Sequence, residues 1–431
     1  AGRMELSHRD QALLSGEEGP ALQLAMRTVV RAGEIAGAVT LIDASLAHID
    51  ACFYNGQAHI DFARYLLDHK ARVTIPTWTN ACPVSLVDRD IRPAELYPDL
   101  VAGARRLMRL YEELGCQPVW TCAPYLLPEQ PAFGDHIVES ESNAVIFYNS
   151  VIGVRTNKYG DFLDVCAALV GRVPFCGLHT DEGRRGDILF TLDEVPGALR
   201  EKDVFFPVLG HLIGREAGSC VPVIEGLPPE TSRDRLRAMG AAIGASGSAA
   251  MFHAVGVTPE APTLESALHG REPGKVVPVT LGKLLAARDS LTTASRGAVD
   301  LIALGTPHFS LSEFARLLSL IQGRRVHQGV LFYVTTSRHV KAEAAEHGWI
   351  EALERAGVRA IVDTCTYFSP AVAGCRGRVM TNSAKWAYYA PGMLSVEVVF
   401  GSLEECVESA VRGEVWRDPG LWRTGATKGP L

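Results

Sequence analysis

Three cysteines stand where the chain could build a metal centre. Cys122 lies in Trp120-Thr-Cys-Ala-Pro-Tyr125, Cys365 in Val362-Asp-Thr-Cys-Thr366, and Cys375 in the glycine-rich Ala373-Gly-Cys-Arg-Gly377. Thiolates are the usual ligands of iron–sulfur clusters, and two nearby cysteines plus a distant one converge if their strands are neighbours. Spacing alone leaves two other readings open. Isolated cysteines are mostly small buried core residues, and a histidine with carboxylates could hold a single metal ion, although no HExxH-like spacing occurs. Two further stretches are too polar for simple packing: Glu139-Ser-Glu-Ser-Asn143 with Asn149-Ser-Val-Ile-Gly-Val-Arg-Thr-Asn-Lys158, and Met380-Thr-Asn-Ser-Ala-Lys385-Trp-Ala-Tyr-Tyr389. Amides, hydroxyls and a lysine are what an enzyme uses to hold a small carboxylate and its hydroxyl. The structural alternative is that Asn143 and Ser383 cap helices and Lys158 is solvated.

Elements of two kinds must position these groups. Short β-branched runs bounded by Gly, Pro or Asn predict strands over 39–43, 72–76, 118–122, 144–148, 299–304, 329–335 and 358–363. Helical patterns occupy 22–36, 59–71, 99–114, 161–170, 310–321 and 340–356, with Ser310-Leu-Ser-Glu313 as a capping box. Strands alternating with helices predict an α/β fold of mainly parallel sheets flanked by helices. Ligands in such sheets gather at the carboxyl ends of the strands. The residues there are unusually rich in Thr, Ser, Asn, Cys and His, among them Cys122, Asn149, His308 and Cys365.

The 431 residues predict several domains: an N-terminal segment over 1–70, one lobe over 71–262 and a second over 276–431, with the Pro- and Gly-containing stretch 260–275 between them. The charge of −7 and the pI near 6.0 argue against nucleic acid as the main partner. No run of about 18 apolar residues suggests a membrane span. Ala1-Gly2-Arg3-Met4 lacks the apolar core of a signal peptide, with Met4 as the expected initiator. Ten scattered cysteines with no CxxC read as reduced thiols of a cytoplasmic protein. Gly240-Ala-Ala-Ile-Gly244-Ala-Ser-Gly247 follows a helical pattern and is a poor dinucleotide loop.

Taken in order, Cys122-Ala-Pro-Tyr125, Glu141–Asn157, Gly177-Leu-His179, Gly305-Thr-Pro-His308, Asp363-Thr-Cys365 and Thr381-Asn-Ser-Ala-Lys385 resemble the signature of aconitase X proteins. The likeness runs from about Leu13 to Gly413. It implies an aconitase-like hydro-lyase whose large part comprises three α/β domains. A small swivel domain, fused or carried by a separate subunit, closes over the site and brings a serine base. The sequence shows no convincing segment for that domain, so the base is expected from elsewhere. The family dehydrates cis-3-hydroxy-L-proline to Δ1-pyrroline-2-carboxylate or, in archaea, mevalonate 5-phosphate. The archaeal pattern has cysteine where this chain has Thr306, which points to the hydroxyproline branch.

The resemblance carries Cys122 and Cys365 over as ligands of an iron–sulfur cluster. Cys375 is the expected third ligand, in a rearranged, two-iron (2Fe-2S) cluster. Ser142, Asn143, Asn157, Lys158, Asn382 and Ser383 are expected to bind substrate, and His179, His308 and Lys385 to serve the chemistry. A core role for either histidine stays open. Two readings from other classes remain: an iron-responsive RNA-binding protein, and a pyridoxal-phosphate enzyme using the lysine of Ser383-Ala-Lys385.

Overall fold

The computed structural model describes residues 4–423, so Ala1–Arg3 of the expected leader-free start lie outside the described residues. β1 (Leu41–Asp43), β2 (Ala47–Ile49), β3 (Thr77–Thr79), β4 (Val138–Glu139) and β5 (Arg172–Pro174) belong to the first part of the chain. β2 lies between β3 and β4, all parallel, while β1 and β5 pair antiparallel as a two-stranded ribbon. β6 (Ile188–Thr191), β7 (Pro222–Glu225), β8 (His253–Ala254) and β9 (Lys275–Pro278) form a parallel sheet in the order β8-β7-β6-β9. β10 (Leu301–Phe309), β11 (Leu331–Thr336), β12 (Arg359–Ile361), β13 (Arg378–Thr381) and β14 (Glu397–Phe400) make a parallel sheet in the order β12-β11-β10-β13-β14. Every residue of β10 is buried, as expected of a central strand covered on both faces. The mainly parallel α/β fold predicted from the strand–helix rhythm is thus present.

Several local expectations are corrected. The run 144–148 is no strand: Ser142–Phe147 is a helix, which continues into a wider π-type turn over Tyr148–Ile152. Residues 143–147 are all buried, so the helix has no polar face to reveal its period. Residues 72–76 and 118–122 also lack regular strand structure. Pro118 has no N–H to give a ladder, and Trp120 sits at φ +43°, outside strand geometry. The expected helix 340–356 is two, Arg338–Glu346 and Trp349–Ala356, broken at Gly348 with φ +74°. Residues 260–275 do not join two lobes; they run from β8 to β9 within one sheet.

The glycines of 240–247 serve packing. Helices Phe205–Ala217 and Arg233–Ser246 approach so closely that a Cβ on Gly210 would overlap the carbonyl of Met239. Gly240 and Gly244 turn to the helix Ser142–Phe147, meeting Ile146 and the Ser142 backbone. That helix, which carries site residues, is thereby seated on the second sheet's layer.

Candidate functional site

The site lies where the first and third sheets turn their strand ends toward one another. Glu141 follows β4, His308 ends β10, Cys365 follows β12 and Lys385 opens the helix after β13. Gly305 makes the bend inside β10 possible: its φ is +92°, and a side chain there would collide with the Thr335 backbone.

Cys122, His308 and Cys365 are buried, and their ligand atoms all lie within 4.8 Å of one another. The Cys365 Sγ is 3.8 Å from the Cys122 Sγ, although the residues are 243 apart in sequence, and 3.6 Å from His308 Nε2. The His308 backbone N–H donates to the Cys122 Sγ at 3.3 Å. Burial opposes a thiolate at Cys122, but the hydrogen bond from Cys365 and the nearby His308 and Lys385 outweigh it and lower its pKa. Cys365 moves the opposite way, because its proton is held against the Cys122 sulfur and it is buried. Two soft sulfur donors and one imidazole in this spacing suit a metal centre of the iron or zinc kind.

Cys375 is outside this group. It is buried in the apolar layer beneath β13, where its N–H bonds to Val372, and burial raises its thiol to about 11. Among the described residues, the group that stands with Cys122 and Cys365 is His308, and its ring is held from both sides. Nδ1 meets the Thr121 hydroxyl at 2.9 Å and Nε2 meets the Thr364 carbonyl at 2.9 Å. A carbonyl only accepts, so Nε2 donates to Thr364, while the Thr121 hydroxyl can either donate to Nδ1 or accept from it.

A charged pair lies alongside. Lys385 Nζ donates to Glu141 Oε1 and, at 3.1 Å, to Ser142 Oγ. Burial would raise the Glu141 carboxyl, but Lys385 and the Asn143 bonds hold it at about 2. Asn143 joins the pair to the sulfur site: its Nδ2 donates to Glu141 at 2.5 Å and to the Cys122 carbonyl at 2.9 Å, while its Oδ1 accepts from Tyr125 at 2.5 Å. A cavity of about 180 Å³ opens onto Cys122, Cys365 and Glu141, bounded also by Asp50, Asn80 and Tyr367.

Two supporting groups escaped the sequence reading. Arg92 is buried without a carboxylate partner; it donates to the carbonyls of Pro83, Cys365, Phe368 and Pro370 and to the Thr364 hydroxyl, fixing the Cys365 loop. Behind Thr121, His48 bonds the Glu139 carboxylate at 2.6 Å and the Thr121 carbonyl at 2.9 Å. Burial disfavours the imidazolium, yet Glu139 raises its pKa. Both partners are acceptors, so the ring donates through both nitrogens.

The remaining expected residues divide. Ser383 caps the helix Ala384–Leu394 by accepting from Trp386 N–H at 3.0 Å, and it donates to the Thr306 carbonyl. Asn382 lines a different cleft of about 270 Å³ with Asp234, Arg235 and Arg316. Lys158 is exposed and makes no ion pair among the described residues; burial of its stem lowers its pKa, with Glu141 and Lys385 acting on it in opposite senses. His179 and Asn157 stand apart from the cavity. His179 Nδ1 faces His136 Nδ1 at 2.9 Å and its Nε2 meets the Tyr159 hydroxyl at 2.7 Å; burial pushes it down to about 3, so the ring is neutral. Asn157 staples the turn at Gly177, bonding the Cys176 carbonyl at 3.0 Å and the Leu178 N–H at 2.8 Å. No helix among the described residues is long and apolar enough to cross a membrane.

Comparison with known proteins finds matches along nearly the whole chain. Residues 3–182 match the aconitase X first domain, 186–289 the second and 299–412 the third. The chain is 46% identical over 407 residues to the cis-3-hydroxy-L-proline dehydratase of Pseudomonas aeruginosa, covering 94% of this chain and 69% of that protein. It is 34% identical to the phosphomevalonate dehydratase large subunit of Thermococcus kodakarensis, covering 90% and 95% respectively. The crystal structure of Thermococcus kodakaraensis aconitase X in its holo-form superposes with a TM-score of 0.84 at 32% identity, covering 94% of this chain and 100% of that one.

Proposed function

Because the chain belongs to the aconitase X family, we propose that it is a hydro-lyase that dehydrates cis-3-hydroxy-L-proline to Δ1-pyrroline-2-carboxylate. The observation that carries this reading is the joining of Cys122, His308 and Cys365 to a small cavity beside the Glu141–Lys385 pair. Two relatives named for that activity, from Pseudomonas aeruginosa and Hypocrea jecorina, are 46% and 42% identical, against 34% for the phosphomevalonate enzyme of Thermococcus. Among the described residues, no arginine or lysine lines the cavity, which suits a substrate with one carboxylate better than a phosphate ester.

The donor set fits an iron–sulfur centre held by Cys122, Cys365 and His308, whose Nε2 would give up its proton and its bond to Thr364 while Nδ1–H donates to the Thr121 hydroxyl. Such a centre, when bound, supplies Lewis-acid stabilisation of the substrate carboxylate and of the departing hydroxyl. The chain's own groups do the rest. Glu141, ionised at neutral pH, accepts from the secondary ammonium of the substrate. Lys385 and Ser142 fix Glu141 in place, and Asn143 ties its position to the Cys122 backbone. Exposed Lys158 adds positive potential near Glu141 and Lys385 and attracts the substrate carboxylate. A small swivel domain or subunit closes the cavity and brings the base for the α-proton.

Turnover of cis-3-hydroxy-L-proline by anaerobically prepared protein, with and without the swivel part, tests the reading. Dehydration that depends on the swivel part supports it. Consumption of mevalonate 5-phosphate with no action on hydroxyproline would sink it.

A further inference from the structure

Dehydration requires two proton transfers, and the groups placed so far cannot supply the proton for the departing hydroxyl. Glu141 is a carboxylate clamped by Lys385. His308 is taken up as the third donor beside Cys122 and Cys365, with its other ring nitrogen bonded to Thr121. Tyr367 lines the cavity, but burial pushes its hydroxyl far up, making it a reluctant donor.

Asp50 is differently placed. It follows β2 at the carboxyl end of the strand and its side chain lines the cavity with Cys122, Glu141 and Cys365. Its backbone N–H is pinned by Asp164 Oδ2 at 2.7 Å. One carboxyl oxygen, Oδ1, accepts from Asn80 Nδ2 at 2.8 Å. The other, Oδ2, makes no hydrogen bond, and no lysine or arginine pairs with Asp50 among the described residues. The surroundings favour the acid form. Asp161 and Asp164 act from the helix side, Glu141 from across the cavity, and the neutral thiols of Cys52 and Cys82 lie behind. Among the described residues, Asp161 has the His59 ring as a neighbour at 3.4 Å. Burial first, then the three carboxylates, raise the Asp50 carboxyl to about 8 against the Asn80 hydrogen bond.

Resting on the dehydratase reading, we propose that Asp50 is the catalytic acid that protonates the departing 3-hydroxyl. The base removes the α-proton and that C–H pair becomes the new carbon–carbon π bond. The C3–O bond breaks with its electron pair on oxygen, the Asp50 O–H proton moves to that oxygen, and water leaves. The Asp50 carboxylate then takes a proton from solvent, matching the one the base gives up, and the enamine product tautomerises to the pyrroline.

The test compares wild type with Asp50→Asn in the complete, cluster-loaded enzyme. General acids contribute about 10²–10⁴-fold, so kcat on cis-3-hydroxy-L-proline should fall by that much. KM and the cluster's visible absorbance should stay unchanged, and the wild-type loss of kcat above about pH 8 should vanish. Fluoride leaves without a proton, so release from cis-3-fluoro-L-proline should fall far less. A variant with wild-type kcat and the same alkaline limb would overturn the proposal, as would equal losses on the hydroxy and fluoro substrates. An independent readout needs no substrate: the infrared carbonyl band of a protonated carboxyl, present in wild type at neutral pH, should be absent in Asp50→Asn. If wild type turns over neither compound, the dehydratase reading fails; the band then still decides whether Asp50 holds its proton, and its absence overturns the acid assignment.

Discussion

A single side chain decides whether Glu141 is an asset or a fault. Its carboxylate sits in a nearly closed site, and Lys385 is its one cationic hydrogen-bond partner. Replacing Lys385 with Met should cost about 3–5 kcal/mol, because a buried charge is left unpaired. Adding Glu141→Gln should restore most of that stability in chemical denaturation. The sign with pH follows from the lowered carboxyl: the pair's contribution is complete above the ordinary carboxylate value of 4.5 and is lost as pH falls through about 2. At the sulfur site, Cys365→Ser should abolish cluster absorbance in anaerobically purified protein, whereas Cys375→Ser should keep it. Absorbance lost only in the Cys375 variant would return that residue to the ligand set. The sequence pointed to Cys122, Cys365 and His308 as polar residues at expected strand ends and to Ser142, Asn143 and Lys385 in two unusually polar stretches, the family resemblance suggested their roles, and the fold gathers all six. The sequence missed Asp50 and Arg92 because one acid after a short strand and one arginine in a proline-bearing loop look solvated until the third sheet covers them. His179 misled because a histidine in a polar motif looks the same whether it faces substrate or two buried neighbours.

Helices were legible where one face is wet and illegible where none is. The stretch 310–321 announces itself by its capping box and its apolar stripe, and the structure keeps both. Ser142–Phe147 reads as a strand, since burial on every side erases the 3.6-residue period. Much of the second sheet was invisible for a related reason: β6, β7 and β8 are four, four and two residues long, too short for alternation to be counted. What stabilises that layer is the close helix pair 205–217 and 233–246, where glycine admits a neighbouring backbone. Gly210→Ala should destabilise the protein by about 1–3 kcal/mol through overpacking. Thermal melting of the variant checks it, and an unchanged midpoint would show that the two helices can part cheaply.

Across the whole molecule the three layers meet at the site rather than merely touching. Arg237, on a helix of the second layer, donates to the His308 carbonyl at 2.6 Å and to Asp234 at 3.0 Å, and pairs with Glu313 at the start of helix 311–321. Arg237→Ala should cost about 3–5 kcal/mol as a broken buried pair. It should also hasten loss of cluster absorbance in the presence of a chelator, because His308 loses a backbone anchor; equal rates of loss would confine Arg237 to a structural role. The 243 residues that separate Cys122 from Cys365 also have a consequence for biosynthesis. Domains form from the N-terminus as the chain emerges at about 5–20 residues per second. The first thiol is therefore translated roughly ten to fifty seconds before its partner at that pace. No group that needs both thiols can be seated during that interval, so loading waits until Cys365 has been translated and the third sheet has folded. A cell starved of iron would accumulate finished, unloaded protein rather than stalled nascent chains.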